Sequence, residues 1–224
     1  MFVPIGDENP RDKFPIVTLG LIGLNAYLFF HWCHPVENLV QNISHTLVPA
    51  QADWTNPAWW SDVFTSMFMH GGLFHLFFNM IFLWIFGDNV EDKLGKFRFL
   101  LFYLASGVAA VVLHVAMSPG SDIPSLGASG AVAGVLGAYI VFFPRHKVRL
   151  LFWFILPIAI FRIPAFFWLG FWFIEQLLMA DMGVPGVAWY AHIGGFVAGF
   201  AVAIPWKISK YREFSNPPRD RRTA

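Results

Sequence analysis

The sequence predicts an all-α membrane protein with six transmembrane helices and both termini in the cytoplasm. Of its 224 residues, 57% are hydrophobic and only 13% are charged. A soluble domain of this size needs a larger charged fraction to cover its surface. The 26 Phe and 10 Trp residues are typical of lipid-facing helices and of the aromatic belts at membrane interfaces. Together these observations favour one compact membrane-embedded bundle.

Six apolar stretches are candidates for membrane-spanning helices, since a hydrocarbon core about 30 Å thick requires roughly 20 mostly apolar residues in a helix. They run approximately over residues 14–32, 73–86, 99–117, 129–143, 163–179 and 187–206. The fourth stretch is shorter than the others but apolar throughout. Residues 148–161 are also apolar, but this segment is short and contains Pro157, so we expect it to be re-entrant or interfacial.

The placement of lysine and arginine predicts the orientation, because basic residues concentrate on the cytoplasmic side of membrane proteins. With six spans and a cytoplasmic N-terminus, every basic residue falls in a predicted cytoplasmic segment, provided that 148–161 returns to the side from which it enters. The outer loops, residues 34–72, 118–127 and 180–186, contain acidic charges only. We therefore expect a multi-pass protein of the cell (plasma or inner) membrane.

Three regions follow from this topology. Residues 1–13 form a cytoplasmic N-terminal segment, residues 14–206 the six-span domain, and residues 207–224 a basic cytoplasmic tail that we expect to be disordered. No cleavable signal peptide is expected, because the first apolar stretch is too long for a signal sequence. Cys33 is the only cysteine, which excludes disulfides and cysteine-based zinc sites within one chain. The net charge of +1 indicates no affinity for nucleic acid.

Four polar residues within the predicted spans are candidates for a functional site, namely His75, Asn79, Ser129 and His192. Polar groups inside a membrane are costly and mark functional sites by default. His75 and Asn79 are four residues apart and share one helix face. His70 lies five residues before His75, so we expect it in the preceding loop. The second, fourth and sixth spans all run from outside to inside, and this direction brings the four polar groups into one layer below the outer surface.

Ser129 lies among small residues that allow two interpretations. Gly127 and Gly130 flank it, and Ser among Gly and Ala is common where membrane helices pack closely. The functional interpretation places Ser129 in the first turn of a helix. The N–H groups there have no intrahelical partner and carry partial positive charge, so they suit a developing oxyanion.

His192 also allows a structural and a functional interpretation. Gly195 and Gly199 form a GxxxG stripe, and His192 lies three residues before Gly195 on the same helix face. The stripe favours close packing against the small-residue face that follows Ser129. In the structural interpretation, the His192 side chain only forms a hydrogen bond with a neighbouring helix.

A metal site built from His70, His75 and His192 is disfavoured. Zinc-binding histidines on one helix prefer a spacing of four residues, and here no carboxylate or thiolate accompanies them. We therefore predict no metal and no cofactor.

Four segments resemble sequence motifs of the rhomboid family, in the family's order. They are residues 69–80 (MHGGLFHLFFNM), 87–92 (GDNVED), 127–130 (GASG) and 191–199 (AHIGGFVAG). The resemblance extends from residue 64 to about residue 199. It implies a six-helix rhomboid bundle and an intramembrane serine endopeptidase that cleaves single-span membrane proteins near the outer side of the bilayer.

The resemblance also implies a role for each polar residue. Ser129 would be the nucleophile and His192 the general base and later the general acid. His75, Asn79 and the Ser129 N–H would form the oxyanion hole. His70 matches the family's first motif histidine, which implies a structural or water-retaining role. The glycines near the site would be structural; they are Gly127, Gly130, Gly195 and Gly199.

The sequence departs from the family pattern in two places. Many members have a Trp-Arg pair where this chain has Ser61 and Asp62, and some have an aromatic residue that stacks on the histidine where this chain has Ala133. We therefore expect His192 to be held mainly by its glycine-lined contact. Glu175 and Asp181 are candidates for a third, acidic partner by sequence proximity, although the family works as a dyad.

Two other classes of function compete with a protease. Non-catalytic rhomboid-like proteins bind membrane clients but usually lack the serine or the histidine, and this chain has both. A small transporter or metal carrier would need a pathway lined by carboxylates, whereas Glu175 is the sole acid within a predicted span. A mobile fifth span, with Pro164 at its inner end, is a further hypothesis for how substrates enter.

Overall fold

The structure of the protein, a computed structural model, describes residues 2–152 and 159–215 and is mainly helical. The helices are α1 Ile16–Leu28, α2 Val36–Gln41, α3 Pro57–Ser66, α4 Leu73–Leu94, α5 Lys96–Met117, α6 Ser129–Phe142, α7 Ala165–Asp181 and α8 Trp189–Ser215. The strands are β1 Phe2–Asp7, β2 Lys147–Phe152 and β3 Ala159–Pro164. A π-helical turn, Phe29–Cys33, extends α1, and two short 3₁₀ turns, Ile43–His45 and Pro49–Gln51, lie in the following loop.

Four of the described helices are long and apolar enough to cross a membrane. They are Ile16–Cys33, Leu73–Leu94, Lys96–Met117 and the Trp189–Ser209 part of α8. Helices α6 and α7, with 14 and 17 residues, are shorter. The protein is therefore a multi-pass helical bundle.

Helix α6 forms the centre of this bundle. Every residue from Gly130 to Tyr139 is buried, as expected for a helix that is apolar on all sides and surrounded by others. It packs most closely on α8, where glycines bring the two backbones together. A methyl group at Gly195 would collide with the carbonyl oxygen of Gly130, and one at Gly199 would collide with that of Gly134. The predicted close contact between these two helices is therefore a property of the fold.

The prediction of an all-α protein is wrong at one end of the bundle, where β1, β2 and β3 form an antiparallel sheet in that order. Residues 148–152 and 159–161, which we expected in a re-entrant or interfacial segment, lie in the paired strands β2 and β3. Val148 and Leu150 are buried while Lys147 and Arg149 are exposed, and this two-residue period specifies a strand. Lys147 pairs with Pro164, so the hairpin returns the chain to where it left the bundle. Residues 153–158 lie outside the described part.

The N-terminal segment is held by buried polar groups and forms the edge strand β1. Asp7 accepts hydrogen bonds from the hydroxyl of Tyr139 and from Nδ2 of Asn89, the latter at 3.1 Å. Arg11 forms an ion pair with Asp88 at 2.7 Å. Burial away from water raises the pKa of Asp7 to about 6. The predicted cytoplasmic segment is thus an integral part of the fold.

Glu91 joins α4 to the start of α1. Its carboxylate accepts the backbone N–H groups of Val17 and Thr18 at 3.1 and 2.7 Å, and the Thr18 hydroxyl at 2.7 Å. The first N–H groups of a helix lack intrahelical partners, and an anion there also interacts favourably with the helix dipole. Helix α4 therefore continues to Leu94, eight residues beyond the predicted span end at residue 86. Side chains of the polar run 87–92 anchor the N-terminal segment there.

Helix α8 also extends beyond its predicted end at residue 206. It continues to Ser215, so residues 207–215 of the predicted disordered tail are helical, and residues 216–224 lie outside the described part. The ammonium group of Lys207 donates a 2.6 Å hydrogen bond to the carbonyl of Val141. That carbonyl belongs to the last turn of α6, where carbonyl groups lack intrahelical partners.

Candidate active site

A sharp turn places Ser129 at the first position of α6, half-buried at the end of the bundle opposite the sheet. The turn depends on Gly127, whose φ of +127° disfavours a residue with a side chain. The Gly127 N–H donates to the carbonyl of Ser66 at 2.8 Å, which fixes the loop on α3. The N–H of Ser129, at the start of a helix, has no intrahelical acceptor.

His75 and Asn79 of α4 face this turn. A methyl group built on Gly127 would lie 2.7 Å from Nε2 of His75 and 3.7 Å from Nδ2 of Asn79. Nδ1 of His75 accepts the Gly71 N–H at 3.4 Å, so Nε2 carries the proton of the neutral ring. Nδ2 of Asn79 is buried and has no hydrogen-bond partner in the described part of the chain. Two side-chain N–H donors therefore converge beside the loop that leads to Ser129.

His70 lies in the loop before α4, which begins at Leu73. Its side chain is fully buried. The ring packs edge-on against His75 with 5.0 Å between ring centres, and Nδ1 lies 3.3 Å from the carbonyl of Phe68. His70 therefore braces His75 from behind.

His192 lies in the first turn of α8, beside the start of α6. The neighbouring Ala191 packs against Gly130, with its carbonyl oxygen 3.6 Å from a methyl group built there. The adjoining residues Ser129 and His192 are thus brought to the same end of the helix pair. No hydrogen bond joins these two side chains within the described ranges. Catalytic hydrogen bonds in substrate-free enzymes are often long and tighten only when substrate binds.

The His192 ring has partners on α7 that sequence reasoning misses. Its Nδ1 lies 2.8 Å from Oε1 of Gln176, and the ring stacks on Trp172 with 6.0 Å between centres. The expectation that the glycine contact mainly holds His192 is therefore incomplete. The two acids considered as partners, Glu175 and Asp181, are both exposed. A signal for Gln176 is present in the sequence, since it is a polar residue within an apolar span, as Asn79 is.

Comparison with known proteins identifies the family. Residues 56–208, more than half of the chain, match the family described as "Rhomboid domain". The chain belongs to the rhomboid family. It is 35% identical over 159 residues to "Rhomboid protease GluP" of Bacillus subtilis, covering 70% of this chain and 28% of that protein. It is 30% identical over 241 residues to "Rhomboid protein 1, mitochondrial" of Saccharomyces cerevisiae, covering 90% and 65%.

A mammalian rhomboid-like protein is also similar. The "Presenilin-associated rhomboid-like protein, mitochondrial" of Bos taurus is 28% identical over 199 residues, covering 86% of this chain and 48% of that protein. The chain thus spans between 28% and 65% of the length of these three relatives.

The loop between α1 and α4 contains one of the two departures from the motif pattern, Ser61 and Asp62. Helix α3 begins after Asn56, whose Oδ1 accepts the Ala58 N–H at 2.9 Å. Asp62 lies 3.8 Å from Nδ1 of His45, which ties α3 to the loop before it. The three loop tryptophans pack edge-to-face with 4.6 to 6.0 Å between ring centres; they are Trp54, Trp59 and Trp60. Trp59 is buried, so this loop has an apolar core of its own.

Proposed function

We propose that this chain is an intramembrane serine endopeptidase that cleaves single-span membrane proteins near the outer side of the bilayer with a Ser129–His192 dyad. The observation that carries the proposal is the convergence of four groups at one end of the bundle. Ser129 starts a helix, His192 lies on the helix packed against it, and the N–H groups of His75 and Asn79 face the same turn. Membership of a family that includes proteins named rhomboid proteases supports it.

The proposed chemistry is acyl transfer in two steps. Neutral His192 accepts the proton of the Ser129 hydroxyl while the oxygen attacks the scissile carbonyl carbon, because serine is a weak nucleophile without a base. The protonated imidazole then donates to the amide nitrogen, the C–N bond breaks, and an acyl-enzyme ester remains. A water molecule, deprotonated by the same imidazole, hydrolyses that ester and releases the new carboxylate.

The oxyanion would be stabilised by three N–H groups, those of His75, Asn79 and the Ser129 backbone. Donors fixed in a low-dielectric site need no reorganisation during the reaction, and each contributes about 100- to 1,000-fold in rate. The bracing of His75 by His70 and the tight fit at Gly127 support such fixed geometry.

The length of α6 accounts for a site below the membrane surface. Its 14 residues span about 21 Å, whereas the hydrocarbon core is about 30 Å thick. With the C-terminal end of α6 at the inner boundary, Ser129 would lie about 9 Å below the outer one. A substrate helix must unwind there to expose a carbonyl, so Gly, Pro or polar residues near its outer end would favour cleavage.

The proposed orientation has six spans, α1 and α4 to α8, with both termini in the cytoplasm of a plasma or inner membrane. Its support is the distribution of basic residues, since those of the described chain cluster around the sheet and the adjoining helix ends. Substrates would enter from the lipid beside α7. That helix exposes large apolar side chains such as Phe167, Phe171 and Ile174, and it follows Pro164 without a side-chain cap.

The test is cleavage of a single-span reporter by the purified full chain in detergent, alongside Ser129→Ala and His192→Ala. We expect wild type to cut and both folded variants to lose at least about 1,000-fold in rate. Ser125→Ala is the matched control, because Ser125 pairs with Leu47 through its backbone. If wild type is as inert as the variants toward several reporters and a fluorophosphonate probe, the dyad is not catalytic and a client-binding function takes its place.

A further inference from the structure

We infer that Gln176 is a positioning residue for the base, holding His192 in the tautomer that can accept a proton from Ser129. The inference rests on the proposed protease function and adds a third member to the proposed dyad. Gln176 lies on α7 and is only 3% exposed, although it is polar and within an apolar helix. A buried amide of this kind is stable only when its hydrogen bonds are made.

The orientation of the Gln176 amide is fixed by its own helix. Nε2 lies 3.1 Å from the carbonyl oxygen of Trp172, one turn earlier. A carbonyl oxygen can only accept, so the NH₂ group must be the atom facing Trp172. The other end of the amide, Oε1, is then the atom 2.8 Å from Nδ1 of His192.

This orientation determines the tautomer of His192. Oε1 can only accept, so Nδ1 of the neutral ring must donate and Nε2 must carry the lone pair. A general base needs a free lone pair directed at the nucleophile. In serine hydrolases, the group that accepts a hydrogen bond from the other ring nitrogen holds the histidine in this tautomer. Gln176 would perform this task with a neutral amide, where other serine hydrolases use a carboxylate.

Two aromatic rings restrict the imidazole further. Trp172 stacks on His192 at an interplanar angle of 29°, and Trp189 approaches edge-on at 87°. Because Trp172 and Gln176 are four residues apart on one face of α7, the same helix turn fixes both the plane of the ring and its Nδ1. The ring therefore has one orientation and one tautomer.

No carboxylate competes with Gln176 for this role among the described residues. The ring of His192 contacts Gln176, Trp172 and Trp189, none of which is a carboxylate. The side chain of Glu175, adjacent in sequence, is exposed and makes no contact with His192 in the described structure. Glu175→Gln is therefore a matched control on the same helix.

The first test is kinetic and uses the full chain in detergent. Gln176→Leu should lower kcat by about 10- to 100-fold, because Nδ1–H loses its acceptor and the other tautomer gains population. KM and the melting temperature should stay close to the wild-type values. Gln176→Glu restores an acceptor and favours the charged imidazolium. That variant should regain turnover at high pH and lose it at a higher pH than wild type on acidification.

The second test does not depend on activity. Nitrogen NMR of ¹⁵N-histidine-labelled protein reports the tautomer of each ring, and His192→Ala assigns the resonance of interest. We expect His192 to be protonated on Nδ1 in wild type and in Glu175→Gln, and to shift toward Nε2 protonation in Gln176→Leu. A wild-type His192 protonated on Nε2, or an unchanged kcat in folded Gln176→Leu, overturns the inference. If wild type is inert but its His192 is protonated on Nδ1, the protease function is overturned. The hydrogen bond between Gln176 and His192 then stands without it.

Discussion

Replacing Asp7 by Asn should strengthen the docking of strand β1 at neutral pH. Burial raises the pKa of Asp7 from 3.8 to about 6, so the docked strand favours the protonated carboxyl. Docking is therefore strongest below about pH 3, where Asp7 is protonated whether the strand is docked or free. It weakens as the pH rises to about 6 and is constant above that value. The neutral amide of Asn keeps an oxygen that can accept from the Tyr139 hydroxyl.

The size of this effect follows from the two pKa values. Each tenfold change in proton affinity corresponds to about 1.4 kcal/mol, which gives about 3 kcal/mol for a fully buried group. Asp7 is partly exposed, so screening by water reduces the expected change to about 2 kcal/mol. In the opening equilibrium of β1, this is about a 30-fold difference between pH 3 and pH 7.

Hydrogen exchange of the β1 amides measures this equilibrium directly, once intrinsic rates are divided out. Wild type should lose about 30-fold of its protection between pH 3 and pH 7, and Asp7→Asn should lose much less. Other carboxylates titrate over the same range, so the difference between the two proteins is the relevant quantity. Equal pH dependence in both proteins would show that docking leaves the pKa of Asp7 unchanged and would refute the reasoning.

Two further predictions concern the candidate site and the packing around it. Asn79→Ala should keep the fold and lower kcat by about 100-fold or more, because one oxyanion donor is lost. An unchanged rate of cleavage in single-turnover assays would exclude Asn79 from the proposed oxyanion hole. Gly195→Ala should destabilise the bundle by about 1–3 kcal/mol, because the added methyl collides with the Gly130 carbonyl. Gly170→Ala on α7, with open space around it, should leave the unfolding midpoint nearly unchanged, and equal midpoints for both variants would contradict the packing argument.

Much of the membrane part of this rhomboid can be predicted from the sequence. The six apolar stretches coincide with helices α1 and α4 to α8. His75, Asn79, Ser129 and His192 do come to the same end of the bundle. Their placement is predictable because helix period and span direction are local properties of the sequence, which need no knowledge of distant contacts.

The sheet and the anchored N-terminal segment are harder to predict, because their stability comes from distant partners. Strand β1 pairs with residues about 145 positions away, and Tyr139 and Asn89, which donate hydrogen bonds to the half-buried Asp7, are more than 80 positions away from it in sequence. Residues 148–161 are apolar in composition, and length alone does not distinguish a hairpin from a re-entrant helix. The two-residue alternation of Val148 and Leu150 with basic residues is the signal that decides between them.

The structural and functional interpretations of the glycine motifs are not exclusive. Gly195 lies against the Gly130 carbonyl because the two helices need small residues to approach each other. The same approach puts Ala191 against Gly130, and so brings His192 to the start of the helix that begins with Ser129. Helix packing and the geometry of the proposed dyad thus depend on the same contact. A substitution that widens this contact by a methyl group should lower turnover even where the bundle still folds.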